Sequence, residues 1–375
     1  MKKALREPLV NRLVRYGQMI IYGVLLGRCT LTLMPFFALD SFPFRMAVLM
    51  LLLPVLMLID RLLALVHELG HLVGGLMSGR RMHFVNVAGL HLLRRPDGSL
   101  RWGYAASPGM GGSSATVTEK SPAPFVLYLL CGPLMTLIAG VVCGFFADRV
   151  DPAWYRGCAA AHVLLRMAAV QGVVDCIANL IPRRFQGGMS DGMQLLTLLR
   201  DAQARADWEA GQRISWEEYQ GRTLPEMPDA LFAPLPVARL TNPYAMGLAQ
   251  TRLGRLMDQR DFAAALALCR ELLEAGVPLA PFQLMAVVRT GAVCEAMLGS
   301  PGDLCQRMKE PAIRRMMQLT GKTIGTNLCW YVLARLVQRD KALADRHLAA
   351  FTRAAARSPF RESVGMDTAM ISLVE

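Results

Sequence analysis

The sequence predicts a mainly α-helical, multi-span membrane protein with a small β-hairpin or sheet insert and a C-terminal helical domain outside the bilayer. Three observations predict it. Of 375 residues, 53% are hydrophobic and only 19% charged, where an ordinary soluble domain has about a quarter charged. The mean hydropathy is positive, +0.32. The apolar runs are confined to residues 17–182, and polar, helix-patterned sequence takes over from about 200. The same composition excludes disorder for most of the chain, because disorder needs low hydrophobicity.

Four apolar runs are long enough to cross about 30 Å of hydrocarbon, which takes about 20 helical residues. They are 17–39, 46–77, 124–146 and 158–182. The first carries Arg28 near its middle and is read as a retained span rather than a cleaved signal, since no small-residue cleavage site stands out. The second is too long for one straight crossing, holds Pro54, and is interrupted by Asp60-Arg61, so a kinked span or a re-entrant stretch is expected. The fourth contains His162, Arg166 and Asp175. Internal ion pairs or snorkelling account for Arg28, Asp60, Arg61, Arg166 and Asp175.

Lys and Arg cluster before the first span, between the second and third (Arg80, Arg81, Arg94, Arg95, Arg101, Lys120), and after the fourth (Arg183, Arg184). The positive-inside rule then places both termini in the cytoplasm, and a bacterial inner membrane is the expected location. This distribution also accounts for the net charge of +12. No basic run with interleaved aromatics points to nucleic acid, so no nucleic-acid partner is expected. The nine cysteines contain no C-x-x-C pair and several lie in apolar runs. They read as buried thiols, not as a disulfide framework or zinc ribbon.

Between the second and third spans, Val85, Val87, Leu90 and Leu92 partly alternate, and Pro96-Asp97-Gly98 is a turn signal before Leu100 and Trp102. A small sheet at the membrane surface is expected over 83–104, with His83 and His91 on its surface and a flexible glycine-rich loop over 107–114. Beyond the spans, Pro225, Pro228, Pro234 and Pro236 mark a linker. Residues 244–275 read as two helices turning near Asp258–Asp261, with further pairs around 281–299 and 325–357, a pattern like tetratricopeptide hairpins. The expected divisions are 1–45 (N-terminal segment and first span), 46–200 (membrane core), 201–240 (linker) and 241–375 (cytoplasmic helical domain).

One motif carries chemistry. In His67-Glu68-Leu69-Gly70-His71, residues four apart project from one helix face. Two imidazoles at that spacing can hold one zinc ion, and the adjacent Glu can act as general base on its water. A catalytic zinc takes three protein ligands and keeps a fourth position open. His83, His91, His162, Asp175 and Asp191 are the candidate third donors. His162 reads preferentially as a hydrogen-bonded core histidine, and His347 as a solvated residue of the helical tail.

HELGH in one apolar helix, Gly132-Pro133 opening another, and Asn179-Leu180-Ile181-Pro182 followed by Asp191-Gly192 resemble the site-2 protease family of intramembrane zinc metalloproteases. The motifs come in the family's order over residues 46–200, under half of the chain. The resemblance implies one zinc ion held by His67, His71 and Asp191, with Glu68 as general base. It also implies that Asn179 lies beside the active site, where it helps hold substrate or oxyanion. The family's usual Leu-Asp-Gly reads Ser190-Asp191-Gly192 here, and Thr136 stands where the Gly-Pro motif often continues to Asn.

The expected function is endopeptidase cleavage of membrane-embedded protein segments or small peptide precursors. The lipid bilayer is the medium, and the helical tail recruits a protein partner or restricts access. A transmembrane substrate must unwind locally, because its carbonyls are bonded internally, and the sheet over 83–104 is a candidate edge for the unwound backbone. Two other classes fit the same residues: a catalytically silent membrane scaffold or immunity-type protein that binds a peptide, and a transporter using His and Asp for ions.

Overall fold

In the computed structural model, which describes residues 8–37, 42–104, 112–154, 156–185, 188–277, 279–358 and 360–374, the chain begins with two long helices, α1 (Leu9–Phe37) and α2 (Phe42–Met77). Four strands follow, β1 (Arg81–Val87), β2 (Leu90–Arg94), β3 (Leu100–Tyr104) and β4 (Gly112–Val117), then α3 (Val126–Ala147) and α4 (Arg156–Leu180). A two-strand hairpin, β5 (Arg184–Phe185) and β6 (Gly188–Met189), leads into α5 (Asp191–Arg200) and α6 (Ala202–Tyr219). Among the described residues eight more α-helices follow: α7 (Pro243–Asp258), α8 (Phe262–Glu274), α9 (Pro281–Met297), α10 (Asp303–Arg307), α11 (Pro311–Leu319), α12 (Ile324–Val332), α13 (Lys341–Arg357) and α14 (Arg361–Ser372).

Among the described residues, four helices are long and apolar enough to cross a membrane: Leu9–Pro35, Met46–Met77, Val126–Ala147 and Gly157–Leu180, of 27, 32, 22 and 24 residues. At about 1.5 Å per residue each exceeds a hydrocarbon core of about 30 Å. α2 runs as one helix through Pro54 and past Asp60-Arg61, so the interruption visible in the sequence does not break it. The Asp60 carboxylate and Arg61 guanidinium lie 3.9 Å apart and half exposed. α1 starts earlier than the apolar run suggests. Leu9, Val10 and Leu13 extend it, and the buried Asn11 side chain donates to the Arg184 carbonyl at 2.6 Å.

Two compact units divide the chain. The first comprises Met1–Arg80, Gly111–Ala115 and Pro124–Thr197. Its apolar core joins Leu25, Leu26 and Cys29 of α1 to Leu52, Ile59 and Leu63 of α2 and to Ala159, Val163 and Met167 of α4. These positions recur at three- and four-residue spacing, one face of each helix. Glycines set the remaining contacts. A Cβ on Gly70 or Gly74 of α2 would strike the backbone of α3 at Cys131 or Leu127, and one on Gly140 of α3 would strike α4 at Ala169. Small residues let helix backbones approach closely where lipid offers no hydrophobic drive to associate. The opposite side of α2 leaves Met50, Leu51, Met57, Leu58 and Leu62 exposed, the surface a hydrocarbon solvent wants.

The second unit comprises Arg81–Met110, Thr116–Ala123 and Leu198–Glu375. The sheet order is β3-β2-β1-β4, with β1–β2 and β2–β3 antiparallel. Ala88 and Gly89 both take positive φ, 53° and 87°, as a two-residue hairpin turn between twisted strands requires. The Pro96-Asp97-Gly98 turn joins β2 to β3 as its sequence suggests. The expected flexible loop over 107–114 is corrected in part. Residues 112–114 open strand β4, whose Ala-Thr-Val end has the branched side chains strands favour, and 107–111 lie outside the described residues. His91 is also not a surface residue. It is 5% exposed, its Nδ1 sits 3.0 Å from the Gly89 carbonyl, and it meets Phe360 edge-on. His83 is half-buried against Phe84 and Tyr219. These contacts with helical-tail residues explain why β1 and β2 group with α6–α14.

The expected linker over 201–240 is half helix. Asp201 caps α6 by accepting from the Ala204 N–H, and Trp208, Ile214 and Tyr219 are buried, so that segment packs rather than connects. Three 3-10 turns, Leu224–Glu226, Asp229–Phe232 and Val237–Thr241, take up the proline-rich remainder. α7 and α8 form the expected hairpin, turning at Arg260 (φ 61°) with Asp261 capping α8. Residues 281–299 hold a single helix, α9, rather than a pair. Buried Glu295 on α9 accepts from the backbone N–H groups of Gly302, Leu304 and Cys305 at 2.9, 3.3 and 2.9 Å, anchoring α10.

Candidate metal centre

α2 brings His67, Glu68 and His71 to the side that faces α3 and the start of α5 in the first unit. Among the described residues, one group of metal-binding side chains has its donor atoms within 4.8 Å of one another: His67, His71 and Asp191. The two Nε2 atoms are 3.0 Å apart. His67 Nε2 lies 3.2 Å from Asp191 Oδ2, and His71 Nε2 lies 3.4 Å from Asp191 Oδ1. Donors at about 2.0–2.2 Å from a tetrahedral ion stand roughly 3.3 Å from one another, so the three separations match one ion's coordination edges. The side chains are only 14%, 7% and 10% exposed, so charge there interacts in a medium of low dielectric.

The hydrogen bonding tests the fit of a cation independently. His71 Nδ1 is 2.6 Å from the Tyr128 carbonyl. A carbonyl only accepts, so Nδ1 carries the proton and a neutral His71 turns the lone pair of Nε2 toward Asp191 and His67. A carboxylate and two imidazole nitrogens facing each other in a buried site want a cation between them. The backbone partner also locks the ring's tautomer and orientation, as outer partners of metal-bound histidines do.

Asp191 is placed by the chain around it. Ser190 Oγ donates to the Ile181 carbonyl at 2.8 Å, accepts from the Arg183 N–H at 3.0 Å, and accepts from the Met193 N–H at 3.3 Å. It therefore caps α5 and ties that helix start to the end of α4, a task Leu in its place could not perform. The β5–β6 hairpin, pairing Arg184 with Met189 and Phe185 with Gly188, absorbs the residues between Pro182 and Asp191. A Cβ on Gly192 would collide with the Leu180 carbonyl. Gly132 is required for a similar reason: its Cβ would stand 2.5 Å from Cε1 and Nε2 of the His71 ring.

Glu68, 8% exposed, accepts from Ser114 Oγ at 2.6 Å through Oε2. The Tyr128 hydroxyl donates to the Ser114 carbonyl at 3.0 Å, and the Arg80 guanidinium lies over the Tyr128 ring at 4.9 Å. Sequence reasoning missed both Ser114 and Tyr128. A glycine-rich context hid the first, and the second acts on His71 through a backbone carbonyl, which no side-chain pattern reports. Asn179, expected beside the centre, donates Nδ2 to the Asp175 carbonyl one turn earlier at 3.1 Å.

The other candidate donors are engaged elsewhere. His162 Nδ1 faces the Ala147 and Val150 carbonyls at 3.0 and 3.1 Å, and Asp175 Oδ1 accepts from the Tyr22 hydroxyl at 3.3 Å. His83 and His91 belong to the second unit. In the tail, His347 stacks on Trp330.

Fold and site together define a mainly helical protein with four membrane-length helices, a small antiparallel sheet, and a buried His-His-Asp cluster of a kind that holds metal ions. Comparison of the chain with protein-family models, with curated proteins and with solved structures finds no match.

Proposed function

We propose that this chain is an intramembrane zinc endopeptidase of site-2 protease type, cutting membrane-embedded segments of other proteins or small peptide precursors. The observation that carries the reading is the meeting of His67, His71 and Asp191 at tetrahedral spacing, with Glu68 one residue from the first ligand. Two imidazoles and one carboxylate suit zinc and leave a fourth position for water or substrate. When bound, the ion supplies Lewis-acid polarisation of the scissile carbonyl and acidifies water. The chain's own groups do the rest. Glu68 takes the proton of the attacking water and delivers it to the leaving nitrogen. His71, fixed by Tyr128, keeps its donor aimed at the centre.

The substrate backbone must be extended to be cut. The sequence put the candidate pairing edge at 83–104, but the strand whose side chain reaches Glu68 is β4, an edge strand of the sheet. An unwound segment lying along β4 would pass the general base. HELGH lies in the last third of the Met46–Met77 span. With both termini in the cytoplasm of a bacterial inner membrane, cleavage falls near the cytoplasmic side. The C-terminal helices, tetratricopeptide-like in the α7–α8 hairpin, serve to recruit a partner or restrict access.

The test is the metal content and substrate profile of Glu68→Gln. The variant is expected to retain about one zinc per chain while membrane-bound forms of its substrates accumulate in native membranes. Wild-type protein that binds no divalent metal, or a membrane proteome unchanged by Glu68→Gln, refutes the reading.

A further inference from the structure

We propose that Ser114 is the positioning residue of Glu68, and that Tyr128 holds the metal-ligand side and the base side of the site in one register. This inference rests on the endopeptidase reading for its kinetic consequence but not for its geometry. Glu68 has two carboxylate oxygens, and free rotation about its last bond would present either one, in any plane, to a water above the site. Ser114 Oγ donates to Oε2 at 2.6 Å, the short distance of a hydroxyl bonded to a charged acceptor. That bond fixes the carboxylate plane and reserves Oε1 for the proton transfer.

Ser114 is itself held. Its carbonyl accepts from the Tyr128 hydroxyl at 3.0 Å, and the carbonyl of Tyr128 accepts from His71 Nδ1 at 2.6 Å. One aromatic residue two steps into its helix therefore sets both the ring of a metal ligand and the strand that steadies the base. Buried Arg80 braces it, lying over the ring and donating Nη1 to the Pro124 carbonyl at 3.0 Å. Rigid supporting contacts of this kind hold a catalytic group to within a fraction of an ångström, and a misplacement of about 1 Å costs on the order of 100-fold in rate.

Two substitutions separate position from fold. Ser114→Thr keeps the hydroxyl, and Ser114→Val removes it at nearly the same shape, in a strand that tolerates either residue. With a cleaved membrane substrate, Ser114→Val is expected to lower kcat by about 10- to 100-fold with KM little changed and zinc content as in wild type, while Ser114→Thr restores most of the rate.

An infrared arm needs no activity. The wild-type minus Ser114→Val difference spectrum should show a shifted carboxylate stretch. That band should vanish when both proteins carry Glu68→Gln. A band absent from the first pair, or unchanged in the second, overturns the proposal whatever the protein cleaves. Equal rates for Ser114→Val and wild type overturn it too. If Glu68→Gln itself leaves cleavage intact, the endopeptidase reading fails while the infrared result still decides whether Ser114 holds Glu68.

Discussion

Gly132→Ala offers the sharpest trial of how the centre is built. The added Cβ would lie 2.5 Å from two atoms of the His71 imidazole, where ordinary contact begins at 3.4 Å. The ring must retreat by about 1 Å or α3 must move by a similar amount. α3 has little freedom, because α2 meets its backbone at Gly70 and Gly74 with no space to spare. The displacement therefore falls largely on His71, which loses the 2.6 Å bond from Nδ1 to the Tyr128 carbonyl and moves Nε2 out of the coordination edge with Asp191.

Losing an outer-shell partner of a metal ligand typically costs 10- to 100-fold in affinity, or about 1.4–2.8 kcal/mol. Zinc affinity would be measured in detergent by competition with a chromophoric chelator, alongside helix content by circular dichroism. Gly144→Ala is the control, since its Cβ would meet only the Ala169 methyl at 3.6 Å, and its affinity should stay within about twofold of wild type. Zinc binding by Gly132→Ala equal to wild type, at full helicity, would refute the view that this glycine exists to admit the ligand ring.

On the proposed zinc reading, Asp191→Asn should keep the fold and lose most zinc affinity, because the amide would present a neutral oxygen where a charged one would complete the shell; dialysis against buffered zinc reads this directly. Glu295→Ala should destabilise the C-terminal helices by roughly 2–4 kcal/mol, leaving the backbone donors of Gly302, just before α10, and of Leu304 and Cys305 within it without their acceptor, seen as a lower thermal midpoint. His83 and His91 are both held below their ordinary value of 6.5 by burial. The unfolded chain then binds the protons first, so their effect is nil above that value, and stability falls as pH drops below about 6.5 toward the lower folded values. Hydrogen exchange in β1 and β2 should quicken over that window, and His91→Asn should flatten the dependence.

The sequence by itself determined the four membrane-length runs, the α7–α8 hairpin, the β2–β3 turn and the facing of His67 and His71. Each follows from local physics: an apolar stretch of bilayer length, a turn chemistry, a four-residue spacing on a helix. What lies far apart in the chain was decided only by tertiary structure. Asp191, rather than another of five donors, stands at the pair because Ser190, Gly192 and the β5–β6 hairpin dock the start of α5 against the end of α4. Ser114 reaches Glu68 because a glycine-rich segment folds as an edge strand. His91 is buried because Phe360, far along the chain, covers it, and α6 replaces a linker because its own Trp208, Ile214 and Tyr219 are buried. Local patterns report periodicity and polarity; they carry no information on which carbonyl a ring nitrogen will meet, and that is set by the packing of elements the sequence does not place side by side.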